Sequence, residues 1–201
     1  MRGLLPISTG DPAFDLMSAA EGLADAGVSR LILREPHREA AALARLAEAL
    51  MGRLPGLIVH ARCPGGLELT RALGAGLHLP GGAARPDFDG LLGRSIHGEP
   101  ELNQLQDADY ALLSPVWLPS SKPDDRRPTL GPEGFAALYH RCSKPLFALG
   151  GIHPDRARLL RELGVRRLAV QGWLFVDDSA RGVAARANTL LRALAPNDDI
   201  V

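Results

Sequence analysis

Short apolar runs alternate with longer amphipathic stretches from one end of the chain to the other. The runs are "GLLPIS" (3–8), "RLILRE" (30–35), "GLIVHA" (56–61), "GLHLP" (76–80), "RSIHG" (94–98), "DYALLSP" (109–115), "PLFALG" (145–150) and "RRLAVQG" (166–172). They are too short for helices and too apolar for a sheet with one wet face, so they read as buried strands. Between them, "AFDLMSAAEGLADAG", "REAAALARLAEALMG" and "DRARLLRELG" carry apolar residues at helical spacing and stop at a glycine that suits a helix C-cap. Parallel strands need crossovers, and helices are the usual ones. Eight strand–helix units in 201 residues predict an α/β fold, a single (β/α)₈ barrel near the lower size limit of that architecture. An open doubly wound sheet is the competing arrangement. No linker or composition break marks a second domain within residues 1–201.

Composition narrows the function classes. Lys plus Arg equals Asp plus Glu at 23 each, so no global field favours nucleic acid or an anionic membrane. Aromatics, at 4%, are too few for a base-stacking platform. Two cysteines, Cys63 and Cys142, cannot build a disulfide framework or a closed zinc site. The N-terminal "MRGLLPISTGDP" reaches Pro and Asp before a signal-length apolar stretch develops, and no run has the length of a membrane span. A cytoplasmic enzyme or binding protein is expected.

In both candidate architectures ligands bind at the carboxyl ends of the strands. Those ends carry Arg34-Glu35, His60 with Arg62, His78, Ser95 with His97, Ser114, Gly150-Gly151 and Gln171-Gly172. A lone histidine is more often packed than catalytic, and His78, flanked by Leu77 and Leu79, also reads as a core residue. "FALGGIHPD" and "LAVQGWLF" follow the seventh and eighth runs, where barrels commonly bind phosphate on glycine-rich loops and a helix N-terminus. Neither loop contains Lys or Arg, so backbone amides and a helix dipole are expected to hold the anion. The loop "VWLPSSKPDDRRP" (116–128) is long enough for a lid, and Lys122 is its best candidate for a second anionic group. Arg126 and Arg127, beside Asp124 and Asp125, also fit a solvated surface loop.

Five segments, in order and at matching spacing, resemble the thiamine-phosphate synthase and TenI superfamily of (β/α)₈ barrels: "LILREP", "RALGAGLHLPGG", "RSIHGEPEL", "ADYALLSPVWLPSSKP" and "KPLFALGGI". The resemblance implies a thiazole phosphate held on Gly150, Gly151, Gln171 and Gly172. Synthases of that superfamily join it to a pyrimidine methyl pyrophosphate with Mg²⁺; TenI-type members isomerise a thiazole carboxylate phosphate by proton transfer without metal. Arg34, Ser95, Ser121 and Lys122 match the pattern. Pro36 stands where a synthase has a lysine, Ala61 where it has a metal aspartate, and "PGGAARP" offers no second aspartate in register. Pro115 replaces the histidine proposed as the tautomerase acid/base.

Three readings remain. The first is a TenI-like, metal-independent isomerase in which His60, Arg34 and Lys122 are catalytic and Ser95, His97 and Ser121 bind substrate, with His60 or His97 carrying the proton. The second is a divergent synthase, the one case requiring Mg²⁺; the third is a non-catalytic phosphate-ligand binder. The first is carried forward, with a small phosphorylated heterocycle as partner, no nucleic acid, no membrane, no metal and a possible homodimer.

Overall fold

The computed structural model describes residues 3–118 and 128–195. Ser121 and Lys122 therefore lie outside the described residues. Eight parallel strands follow in chain order: β1 (Gly3–Pro6), β2 (Arg30–Leu33), β3 (Gly56–His60), β4 (Gly76–Leu79), β5 (Leu92–Ile96), β6 (Tyr110–Leu113), β7 (Leu146–Ala148) and β8 (Arg167–Val170). Their hydrogen-bonded order is β1-β8-β7-β6-β5-β4-β3-β2, and a parallel bridge between Ile7 and Ile32 links the two ends. There Ser8 N–H donates to the Ile32 carbonyl at 2.9 Å, and Arg34 N–H to Ser8 Oγ at 2.8 Å. The protein is a nearly closed (β/α)₈-type barrel.

Six α-helices surround it among the described residues: α1 (Leu16–Asp25), α2 (Ala40–Met51), α3 (Gly66–Leu73), α4 (Gly131–Arg141), α5 (Pro154–Glu162) and α6 (Ala180–Leu194). The sequence supplies their stops and starts. Asp15 accepts from the Met17 and Ser18 N–H groups, and Glu39 from those of Ala41 and Ala42, satisfying donors that helix starts leave open. Gly27 and Gly164, just past α1 and α5, take the positive φ values expected there, 74° and 83°.

The strict strand–helix alternation breaks in one sector. No helix separates β4 from β5, and β5 is followed by a 3₁₀ segment, Glu99–Leu105. The connecting "PGGAARPDFDG" has two prolines and three glycines, a composition that opposes helix formation. Strand β5 also begins two residues earlier than the apolar run predicts, at Leu92.

Two apolar layers result. Leu5, Ile7, Ile32, Ile58, Tyr110, Leu112, Phe147 and Ala169 fill the barrel interior. A larger cluster, including Leu23, Leu43, Phe135, Leu160 and Leu190, packs helices against the barrel's outside. Strand side chains alternate between these layers, so each inward series ends at the barrel mouth. No helix among the described residues is long and apolar enough to cross a membrane.

Candidate functional site

At that mouth the inward positions change from apolar to polar. A cavity of ≈ 230 Å³ is floored by Ile7, Ile32 and Leu112 and walled by Arg34, His60, Arg62, His78, Ser95, His97, Ser114 and Gln171. The β3–β4 register pairs His60 with His78, which brings their ring centroids to 5.4 Å. The predicted Arg34, His60, Ser95, His97, Gly150 and Gln171 thus share one cavity.

Each histidine is held differently. His60, 6% exposed, accepts the Arg62 N–H on Nδ1 at 3.0 Å, so the neutral ring carries its proton on Nε2. Burial first, then the charges of Arg34 and Arg62, push its pKa down to about 4. His97 Nδ1 lies 2.9 Å from the Ser114 carbonyl oxygen, which only accepts. Nδ1 therefore bears the proton, and Nε2 is the acceptor nitrogen of the neutral ring. The His97 backbone is anchored to the Glu101 carboxylate at 3.0 Å, and the ring rests against Gly81, where a Cβ would sit 3.4 Å from Nε2. His78 is fully buried between Tyr110 Oη, 3.1 Å from Nδ1, and Ser95 Oγ, 2.9 Å from Nε2. Burial, then His60 and Arg94, hold it well below the usual histidine range.

Beside this cavity lies a hollow of ≈ 540 Å³ between the loops after β7 and β8. Gly150 and Gly151 take φ values of 111° and 62°, conformations that need glycine. A Cβ on Gly150 would lie 2.8 Å from the Trp117 carbonyl oxygen. The N-terminus of α5 opens onto the hollow, capped by His153 without a side-chain bond. Gln171 is held by its side chain, whose amide donates to the Ser8 and Thr9 carbonyls at 2.9 and 3.0 Å. The loops themselves carry no cation, yet Arg156 reaches the hollow from the first turn of α5. Its guanidinium donates to the Gly151 carbonyl at 2.7 Å and lies 5.0 Å over the Trp117 ring. The only sequence signal was its place five residues after Gly151, which one helical turn folds back.

Three further polar side chains fall away from the mouth. Glu35 is buried and accepts the Gly10 N–H at 3.2 Å, tying the loops after β1 and β2 together. Cys63 bridges the Leu33 carbonyl and the Glu35 N–H, and burial pushes its thiol pKa up, so it is an inert packing residue. His140 bonds the Leu163 carbonyl at 2.8 Å on the barrel's outside.

The barrel thus carries charged and polar side chains over one half of its mouth and glycine loops over the other, the strand ends at which α/β barrels bind ligands. The family model described as thiamine monophosphate synthase matches residues 4–173, and the chain belongs to that family. A thiamine-phosphate synthase of Mycobacterium tuberculosis is 34% identical over 136 residues, 63% of this chain and 61% of that relative. The matched stretch thus spans about three fifths of that relative's length. One of Azorhizobium caulinodans is 28% identical over 190 residues, 88% of this chain and 87% of its own. Among solved structures, thiamine phosphate pyrophosphorylase from Pyrococcus furiosus superposes with TM-score 0.78 at 19% identity, covering 96% of this chain and 95% of that one, a likeness of fold.

The synthase branch of the resemblance calls for Mg²⁺. The described cavity wall offers it two guanidiniums and no carboxylate, and no described group of three His, Cys, Asp or Glu side chains could hold a metal. A hard cation takes oxygen anions, so these residues do not fit it.

Proposed function

We propose that this family member is a metal-independent, TenI-like isomerase acting on a thiazole carboxylate phosphate. The phosphate sits over Gly150, Gly151 and Gly172 at the N-terminus of α5, and the carboxylate reaches Arg34 and Arg62. The observation that carries the reading is the cavity wall, which joins two arginines and three histidines with no carboxylate. Such a wall suits an anionic ligand with exchangeable protons.

The chemistry is proton transfer at a ring carbon conjugated to the carboxylate. His97 is the better-placed base, because its Nδ1–H is committed to the Ser114 carbonyl and Nε2 keeps the lone pair. His60 fits a different part from proton carrier. Its Nδ1 already accepts the Arg62 N–H, and a pKa of about 4 keeps it neutral, so it stabilises developing negative charge by donating from Nε2. Ser95 adds a hydroxyl, and Lys122 and Ser121 would act from the loop after β6.

A second reading has its own support in the synthase names of the relatives. Incubating the pure protein with hydroxymethylpyrimidine pyrophosphate, thiazole phosphate and Mg²⁺ separates the two. The isomerase reading expects no thiamine phosphate; formation at catalytic rates would replace it with the synthase.

A further inference from the structure

We infer that Tyr110 and His78 lock the Ser95 hydroxyl as a hydrogen-bond donor into the cavity, so the ligand must present an acceptor atom to Ser95. The inference rests on the reading of this cavity as the ligand site, and it adds a specificity rule and two positioning residues.

Tyr110 is completely buried, its ring 5.9 Å edge-on from Phe147. Opposite stands Gly93, where a Cβ would fall 2.0 Å from the tyrosine ring, so this strand glycine makes room for Tyr110. Among the described residues Tyr110 Oη has one hydrogen-bond partner, His78 Nδ1, at 3.1 Å. A buried O–H has to donate to an acceptor, and that nitrogen is the acceptor in reach. Burial also raises the phenol's pKa, which keeps its proton in place.

With Nδ1 accepting, the neutral His78 ring carries its single proton on Nε2. Nε2–H then donates to Ser95 Oγ at 2.9 Å. The serine hydroxyl cannot donate back to a protonated nitrogen, so its own proton turns to the cavity that Ser95 lines. The reverse tautomer would leave the phenolic O–H buried with nothing to donate to. A charged His78 is disfavoured by full burial and by the facing His60 and the nearby Arg94.

Two consequences follow. His78 cannot act as a base on Ser95, so Ser95 is a binding group and not an activated nucleophile. And Ser95 Oγ–H joins the donors His60 Nε2–H, Arg34 and Arg62, and its proton needs an acceptor on the ligand. A carboxylate or phosphate oxygen, or an unprotonated ring nitrogen, satisfies that proton; an ammonium or a ring N–H at that end leaves it without an acceptor.

The test needs no ligand at first. Two-bond ¹⁵N–¹H correlation spectra of the full chain should show His78 protonated at Nε2 and bare at Nδ1 near neutral pH. A protonated Nδ1, or a charged ring, overturns the inference. Tyr110→Phe, which removes one oxygen from a buried ring, should give a mixture of the two tautomers. Calorimetry with thiazole carboxylate phosphate then reads the consequence: Ser95→Ala weakens binding about fivefold to tenfold, the scale of one hydrogen bond. Tyr110→Phe should weaken binding about threefold in the wild-type background and add nothing to Ser95→Ala. An equal loss in both backgrounds would make Tyr110 a structural residue only and sink the inference. If the wild-type protein does not bind this ligand, the proposed function fails, while the tautomer spectrum still decides the inference.

Discussion

The two halves of the barrel mouth are built on different principles. The half after β7 and β8 is made of backbone: Gly150 and Gly151 at positive φ, and the N-terminus of α5. The half formed by β2 to β5 is made of side chains, with Arg34, His60, His78 and Ser95 each ending an inward-facing series. Backbone recognises an oxyanion through N–H groups that any sequence supplies, so the sequence shows it only as glycine where a Cβ would collide. Side-chain recognition shows its residue types openly but not their proton positions. Those depend on neighbours such as the Ser114 carbonyl and the Arg62 N–H.

The sharpest way to break this contrast is Gly151→Leu. It forces a branched residue to φ 62° and drives a Cβ to 2.5 Å from the Arg156 guanidinium. Strain of about 1–3 kcal/mol is expected, with loss of measurable thiazole phosphate binding by calorimetry. Retained affinity would remove the phosphate from these loops. Next come the histidines. His97→Gln should lower kcat for isomerisation about 10²- to 10⁴-fold, the range for loss of a general base. His60→Gln, which can still donate from its amide, should cost less than about tenfold. Reversed effects would return the proton-carrier role to His60.

The depressed pKa of His60 sets a pH signature. The unfolded ring protonates near the usual 6.5, whereas the folded ring stays neutral down to about 4. Between those values the unfolded state binds more protons, so stability falls as pH drops through the window. The contribution lost is on the order of 3 kcal/mol at the low end, and His78 acts in the same direction. Urea unfolding from pH 7 to 4.5 should show this slope, reduced in His60→Gln; an unchanged slope would contradict the assigned burial. The smallest effect is expected from Arg156→Met at the rim of the glycine half. It should weaken thiazole phosphate binding about fivefold, read in the same titration.

Much of the fold is legible in the alternation of runs: seven strands lie within the apolar segments, and β5 overlaps its own. The missing helix between β4 and β5 is legible in retrospect from the prolines and glycines of 80–90, which outweigh the expectation of a regular repeat. The offset of β5 has a tertiary cause, since Leu92 and Gly93 pair with Leu77 and His78 of β4 and Tyr110 fills the side-chain space at Gly93. At the site, strand-end position and period-2 alternation suffice to bring Arg34, His60, Ser95 and His97 together. Arg156 escapes such a reading because a helix, not a strand, delivers it. The double commitment of Gln171 escapes it because its partners, Ser8 and Thr9, lie at the other end of the chain.

The most direct test of the central claim is to follow thiazole carboxylate phosphate by proton NMR in D₂O with the pure protein and no added metal. Interconversion of its tautomers at catalytic rates, with deuterium entering the ring position and both effects lost in His97→Gln, is the expected result. Tight binding with neither interconversion nor deuterium uptake would contradict the claim and leave a barrel that holds its ligand without turning it over.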